Sequence, residues 1–431
     1  MSSNNNQIEI TEEYSRVLEL LKSPEQAIFV TGGAGRGKSV LIKLIQKHHK
    51  NTVLVAPHGI GALNIGGSTV HSLFGIPIGV FLFSQLNGVK KEKRDFLKAI
   101  NVLVIDEVSM LSACMVELID AILRFARGVD RPFGGLSVVF VGDLLQTTPV
   151  IGEDEALYYD KNGYASELFY MARSFEEIKL STIMLTKPFR QKDPEFSRLL
   201  DEIRVGQRVR ENLALLNNKC YLDRRHEPED DAVCLVPTNA LAQSINQKRL
   251  NAIQSEPYRF LADIQGSFAN SAEQCIAPAI LDVKIGARVV LTRNRFPFYS
   301  NGDTGIVTSI TATEIGVKLD KTGQEHTLTA ETWEKYKYVL EPGSRQIEQV
   351  STGTFTQMPI TLGWAMTVHK SQSLTMDKVN INLSTGAFAT GQTYVALSRC
   401  TKLEGIRLLS PLRMSDVKVC QRALDFYRDA A

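Results

Sequence analysis

Long apolar runs, paired cysteines and an excess of charge of either sign are all missing from this chain of 431 residues. No apolar stretch approaches the about 18 residues a membrane-crossing helix needs, so no membrane partner is expected. The opening MSSNNNQIEI has neither the cationic nor the apolar region of an export signal and reads as a frayed tail. Cysteines stand at 114, 220, 234, 275, 400 and 420, with no C-x-x-C pair. That scatter argues against a zinc site or a disulfide framework and makes a reducing, cytoplasmic setting the expectation. A formal net charge of +2 neither selects nor excludes a nucleic-acid partner, because what matters is where the cations sit. Repeats and low-complexity linkers are absent too. A chain of this length exceeds one ordinary core and is expected to form about two to four structural units.

Glycine, by contrast, is concentrated in one place. The stretch FVTGGAGRGKSVLIKLI, Phe29 to Ile45, holds four glycines within six positions, between an apolar strand-like run and a helical pattern. Gly32, Gly37, Lys38 and Ser39 fit the G-x-x-x-x-G-K-[ST] template of a phosphate-binding loop. Glycines let successive backbone N–H groups turn inward, and the helix start adds its positive end. Gly33, Ala34, Gly35, Arg36, Gly37, Lys38, Ser39 and Val40 are therefore expected to hold a nucleotide. The Lys38 ammonium would reach the outer phosphates and the Ser39 hydroxyl would bind magnesium.

Three further signals complete a hydrolytic set. VLVIDEVSM delivers Asp106 and Glu107 at the carboxyl end of an apolar strand, where open α/β sheets bind ligands. Asp106 suits magnesium, and Glu107 suits orienting and deprotonating an attacking water. VVFVGDLLQTTPV brings Gln146 after another buried strand, and its amide can bond a terminal phosphate or the water. Arg190 in LTKPFRQ and Arg399 in YVALSRC each sit beside apolar stretches. Guanidinium groups supplied across a cleft neutralise charge on a transferred phosphoryl group. By spacing alone, a surface or ion-pair role, which covers most arginines, is the commoner reading for each.

The first ~185 residues alternate strands (AIFVTG, NTVLVAP, NVLVIDE, LSVVFVGD) with helices, as a parallel α/β layer does. A second α/β unit follows LTKPFRQ. From about 285 to 358 the pattern changes to short strands separated by glycine turns (GARVVLTRN, NGDTGIVTSI, EIGVKLD, EHTLTA), which suggests a small β-barrel insert.

In order along the chain, GGAGRGKS, APHGIGALNIGGSTVHSLFGI, IDEVSM, GDLLQTTPV, LTKPFRQ, NGDTGIVTSI, WAMTVHKSQSLTMDKV and GQTYVALSRC resemble the motifs of superfamily-one helicases, most of all the Pif-type branch beside RecD and Dda. The resemblance covers about residues 10 to 410. It implies an α/β fold of two RecA-like domains with parallel sheets: the first over 1–184 with a wedge insert at 75–98, the second over 185–296 and 359–431, and an SH3-like insert at 297–358. It implies that Lys38, Ser39, Asp106, Glu107, Gln146, Arg190 and Arg399 work on ATP and Mg2+ between those domains. It also implies single-stranded DNA held by His58, Gly59, Thr69, His71 and Phe74 from the first domain and by His369, Lys370, Ser371 and Gln372 from the second. The basic cluster Lys90–Arg94 would lie in the wedge. Movement would run 5′ to 3′, on single-stranded and on forked or tailed duplex DNA, as a monomer that meets replication or repair proteins.

Arg36 stands where relatives carry a small or hydroxyl residue, and His58 where they carry threonine. Glu13 or Tyr14 lies nearest the position of their base-reading glutamine. Two other functions compete with the helicase: a DNA-stimulated translocase without productive unwinding, and a nucleotide-gated binding module. Against the last stands the complete hydrolytic set, which a pure binder does not need.

Overall fold

The computed structural model describes residues 9–76, 90–146, 148–149, 166–191, 193–221, 232–270, 277–341, 343, 346–372 and 374–430, with Ala156, Tyr159 and Lys161. Residues 77–89, the centre of the expected wedge, lie outside the described residues.

Strands β1 (Ala27–Thr31), β2 (Thr52–Ala56), β3 (Ser68–Thr69), β4 (Val102–Ile105), β5 (Ser137–Gly142) and β6 (Leu180–Met184) form a parallel sheet in the order β3-β2-β4-β5-β1-β6. Strands β1, β4 and β5 are buried along their whole length, as Val/Ile-rich strands must be when helices cover both faces. Alternation sorts their side chains. Ile28 and Val30 meet helices α1 (Glu12–Leu20) and α2 (Lys38–His48). Ala27 and Phe29 face the opposite way, into a core shared with α5 (Lys91–Ala99) and α6 (Ala113–Arg127). Two short helices, α3 (Gly59–Ile65) and α4 (Val70–Phe74), follow β2 and β3.

A second parallel sheet has the order β18-β7-β19-β20, from β7 (Val233–Val236), β18 (Ala365–Thr367), β19 (Val379–Ile381) and β20 (Ile406–Leu408). Helices α7 (Pro194–Arg204), α8 (Val209–Cys220) and α10 (Gln392–Leu397) share its core, while α9 (Asn239–Ala252) packs on β7 and β18.

Between β7 and β18 every strand pairing among the described residues is antiparallel. A five-stranded sheet joins β11 (Arg288–Leu291), β12 (Thr304–Ile310), β13 (Glu314–Leu319), β14 (Glu325–Thr329) and β17 (Ile360–Leu362). A long hairpin, β15 (Glu331–Leu340) and β16 (Ile347–Gln357), pairs with β9 (Asp263–Gly266), and β8 (Tyr258–Leu261) pairs with β10 (Ile280–Val283). The strand-rich segment thus runs from Tyr258 to Leu362, wider than the expected 297–358. The extra strands are short and pair with partners far along the chain (β9 with β16, β11 with β17), contacts that leave no local pattern.

Two elements cross to the first sheet. The hairpin buries Tyr338 in the first core, where its hydroxyl accepts from the Leu54 N–H (3.1 Å) and donates to the Leu54 carbonyl (3.3 Å). Helix α11 (Gln421–Asp429), expected with the second unit, packs instead on the first. Phe426 stacks on Tyr170 with centroids 4.2 Å apart, and Ala423 and Tyr427 join the core around Phe29. Its apolar stripe is satisfied by whichever core is uncovered, which the stripe itself does not specify.

A buried ion pair joins the two parallel sheets. Arg204, ending α7, donates from Nε to both Asp143 carboxylate oxygens (3.1 and 3.0 Å) and from Nη2 to Oδ1 (2.6 Å). Asp143 directly follows β5, and both side chains are almost wholly buried. The guanidinium also lies over the Tyr427 ring, 5.5 Å from its centroid. Breaking such a pair strands a buried charge, whereas removing both partners does not. Arg204→Ala should therefore cost about 3–5 kcal/mol in urea unfolding, and Arg204→Met/Asp143→Ala clearly less than the two single changes added. Additive effects of the two changes would show that the ion pair does not join the sheets.

Candidate nucleotide and nucleic-acid site

The phosphate loop links β1 to α2. Gly35 (φ 71°) and Gly37 (φ 85°) occupy the left-handed region, and there is also no room for a side chain. A Cβ at Gly35 would lie 2.4 Å from the Cβ of Arg190, and one at Gly37 would lie 2.1 Å from the Tyr14 hydroxyl. The loop is roofed by later parts of the chain: the Phe189 N–H donates to the Gly35 carbonyl (2.8 Å), and the Ala34 N–H donates to the Tyr394 hydroxyl (2.8 Å). Tyr14 braces it from below, donating to the Gly37 carbonyl (2.8 Å). The Lys38 ammonium folds over the loop and donates to the carbonyls of Gly32 (2.6 Å) and Gly33 (3.0 Å). Burial lowers its pKa, against the opposing pull of Asp143 and Glu107. Arg36 is accounted for outside the phosphate cradle: it pairs with Asp201 (2.5 Å) and donates to the Thr186 carbonyl.

Strand β4 ends where the acids begin. The Asp106 N–H still bonds the Val55 carbonyl of β2 (2.9 Å), after which Glu107 turns into a left-handed conformation (φ 50°). A glutamate held there stores strain, which structures tolerate chiefly at functional sites. Its N–H donates to Asp106 Oδ1 (2.9 Å). Burial, and then the charge of Glu107, push the Asp106 carboxyl up to about 7. Ser39, Asp106 and Glu107 line one cleft of about 650 Å³, together with Asn301, Asp303 and Asp377. A hydroxyl and a carboxylate side by side suit a hard cation completed by phosphate oxygens and water. Among the described residues, no group of three or more His, Cys, Asp or Glu could hold a metal by itself.

Gln146 is buried, and its amide donates to Asp143 Oδ2 (3.1 Å), the carboxylate that holds Arg204. Burial alone would raise the Asp143 pKa; Arg204 and Lys38 outweigh it and lower it. Gly391 lies so close to this turn that a Cβ there would meet the Leu145 carbonyl at 2.4 Å. Arg190 and Arg399 converge on one turn of the second unit. Arg190 donates to the Ser398 carbonyl (3.2 Å), and Arg399 donates to Val395 O (2.9 Å), Ser371 O (3.3 Å) and Ser398 Oγ (2.8 Å). Burial, followed by the charge of Arg190, pushes the Arg399 pKa down. Two cations packed this closely favour an anion between them.

The expected DNA contacts divide. Gly59, Thr69 and Ser72 share a recess with Lys335 and Tyr336 of the hairpin, though the Thr69 hydroxyl already caps α4 by accepting from the Ser72 N–H (3.2 Å). Lys370 opens onto a cavity of about 200 Å³ rich in amide and hydroxyl groups, including Asn239, Asn246, Asn301 and Thr367. His58 and His369, from the two units, lie near each other: burial, then the charge of His58, lower the His369 pKa. His71 and Gln372 are half-buried. Two of the expected positions are buried. Phe74 is packed in the core of the first sheet, because the helix that carries it turns its apolar side inward. Ser371 is fully buried; its hydroxyl donates to the Val368 carbonyl (2.7 Å) and its own carbonyl serves Arg399.

Arg204, Asp143, Tyr394, Tyr427 and Gln191 were not anticipated. Asp143 and Tyr394 lie inside strings singled out above, so a buried polar residue next to each motif was a usable signal. Arg204 and Tyr427 sit on ordinary amphipathic helices and carried none. Gln191 donates to the carbonyls of Ser398 (3.1 Å) and Cys400 (3.2 Å), holding the arginine-bearing turn against the segment that follows the phosphate loop's roof.

The family model described as PIF1-like helicase matches residues 4–213. The ATP-dependent DNA helicase PIF1 of Homo sapiens is 31% identical over 97% of this chain, which spans 63% of that protein's length. The Pif1 helicase of Bdellovibrio bacteriovorus is 30% identical, with 98% of this chain and 92% of that protein covered. The crystal structure of Bacteroides sp Pif1 with ADP-AlF4 superposes with a TM-score of 0.90 at 36% identity, covering 98% of this chain and 97% of that one. The same protein bound to single-stranded DNA has a TM-score of 0.69 over the same shares, again at 36% identity. With its two RecA-like sheets, its motif order and this likeness along almost its entire length, the chain belongs to the PIF1-like helicase family.

Proposed function

We propose that this protein is an ATP-driven motor that moves 5′ to 3′ along single-stranded DNA and separates duplex DNA ahead of it. The observation that carries the reading is the convergence of a phosphate loop and paired acids on one sheet with two arginines from the other, beside grips on both halves. A boundary near residue 184 would divide the two motor domains, with the strand-rich segment from 258 to 362 inserted in the second. The names of the human and Bdellovibrio relatives support the activity. The Bacteroides complexes with ADP-AlF4 and with single-stranded DNA support the substrates.

In this reading the loop from Gly33 to Val40 binds the ATP phosphates and Lys38 neutralises the outer ones. Glu107 takes the proton of the attacking water, and Gln146 orients that water or the terminal phosphate. Arg190 and Arg399 lower the cost of charge that builds on the transferred group, and do so only when the two sheets are closed. Magnesium, held by Ser39 and Asp106, would supply the remaining charge neutralisation. His58, Gly59, Thr69 and His71 on one side, and His369, Lys370 and Gln372 on the other, grip the strand through its backbone. Phosphate contacts suit movement because they ignore sequence. One chain carries a complete cleft and both grips, so a monomer suffices.

ATP hydrolysis should rise strongly with single-stranded DNA. Lys38→Ala should abolish the stimulated rate, and Glu107→Gln should lower it about 10²- to 10⁴-fold while ATP still binds. Hydrolysis indifferent to DNA would detach the cleft from the grips and remove the motor reading. On duplexes with a single tail, strands should separate when the tail is 5′ and stay paired when it is 3′. Stimulated hydrolysis without separation on either substrate would favour a translocase that does not unwind.

A further inference from the structure

The strand-rich insert carries an aromatic surface that the motor reading leaves unused. Between β11 and β12 the chain reads RNRFPFYSN, with two arginines followed directly by two phenylalanines. The turn is firmly built. The Arg295 N–H donates to the Tyr299 carbonyl (2.9 Å), and the N–H groups of Phe298 and Tyr299 return to the Arg295 carbonyl (2.8 and 3.1 Å). Tyr299 is anchored in the core of the five-stranded sheet, and the Asn301 N–H donates to Asn294 Oδ1 (2.7 Å). On this rigid base Phe296 is 89% exposed and Phe298 57% exposed. A phenylalanine is normally buried, so holding two outward forgoes the burial of two large apolar side chains.

Position and charge indicate what would cover them. Gly302, at the base of the turn, packs against Leu374 and Thr375, just beyond the grip residues His369–Gln372: a Cβ there would meet the Thr375 carbonyl at 3.3 Å. Asn301 lines both the cavity that holds Lys370 and the cleft that holds Asp377. The Arg293 guanidinium lies 4.5 Å from the centroid of Trp333, and the Phe298 ring is 6.1 Å from that of His326, which extends the aromatic and cationic surface. Separate rings set among cations fit unpaired bases on a phosphate backbone, since every base has a π face and every linkage a negative charge.

We propose that Phe296 and Phe298 form a stacking platform for unpaired bases of the strand as it passes from the grip at His369–Gln372, an inference that rests on the motor reading. The platform binds the faces of bases, whereas the grips hold phosphates. That difference makes it testable by fluorescence anisotropy with oligothymidine and with an abasic strand of equal length. Phe296→Ala/Phe298→Ala should weaken oligothymidine binding about 10- to 100-fold and leave binding of the abasic strand unchanged. Phe296→Ala alone, at the more exposed position, should show part of the same selective loss, and both variants should melt with the parent. Equal losses on the two strands would overturn the platform in favour of a general effect on the groove. No loss on either strand would overturn it too, leaving the rings to a protein partner or a second copy. A parent that binds neither strand would instead count against the motor reading.

Discussion

A carboxylate buried between two sheets needs a cation, and here each comes from a different unit. Asp143 leaves β5 of the first sheet and Arg204 ends a helix of the second. In the low-dielectric space between them neither charge is tolerable alone. Gln146 and the Leu145 N–H serve the carboxylate from its own side, but its full complement of hydrogen bonds needs Arg204 from across the contact. The same carboxylate accepts the Gln146 amide and lies near Lys38, so the group at the sheet contact also orients residues assigned to the terminal phosphate. A change in charge beside Gln146 bears on the contact between the sheets without any longer relay.

The remaining electrostatics follow the same division. Around the phosphate loop the first sheet supplies Lys38, Asp106, Glu107 and Asp143, and the second supplies Arg190, Arg204 and Arg399, with Arg36 and Asp201 as a pair of the opposite sense. Each set is destabilised by its own like charges or by burial, as the raised Asp106 carboxyl and the depressed Arg399 guanidinium record. In the proposed function, a polyanion with a hard cation between them would relieve both, which would make nucleotide affinity and closure of the cleft two aspects of one charge arrangement.

The insert adds a second tie. Its hairpin buries Tyr338 against β2, and the C-terminal helix buries Tyr427 against β1, where its hydroxyl meets that of Thr31 at 2.6 Å. Both are aromatic residues with a polar tip that finds a partner inside an apolar core, the usual way to cross an interface without leaving an unsatisfied group. They tie the first unit to the insert and to the second half of the chain through β2 and β1.

Much of this was readable from local pattern. The phosphate loop, the acids after β4 and the four main strands of the first sheet depend on residues near one another, and glycine, lysine and alternating valines carry that information directly. The strand-rich character of the insert was visible in its glycine turns. Its true limits were not, because β9 and β11 find partners some 70 to 90 residues away and nothing in either strand names them. Phe74 looked available to DNA and is core, since a five-residue helix offers too short a period to tell its inner side from its outer. Arg204 and Tyr427 lie on helices indistinguishable from surface ones. Their roles come from which cores were left uncovered and which carboxylate was left unpaired, facts that exist only once distant parts of the chain have met.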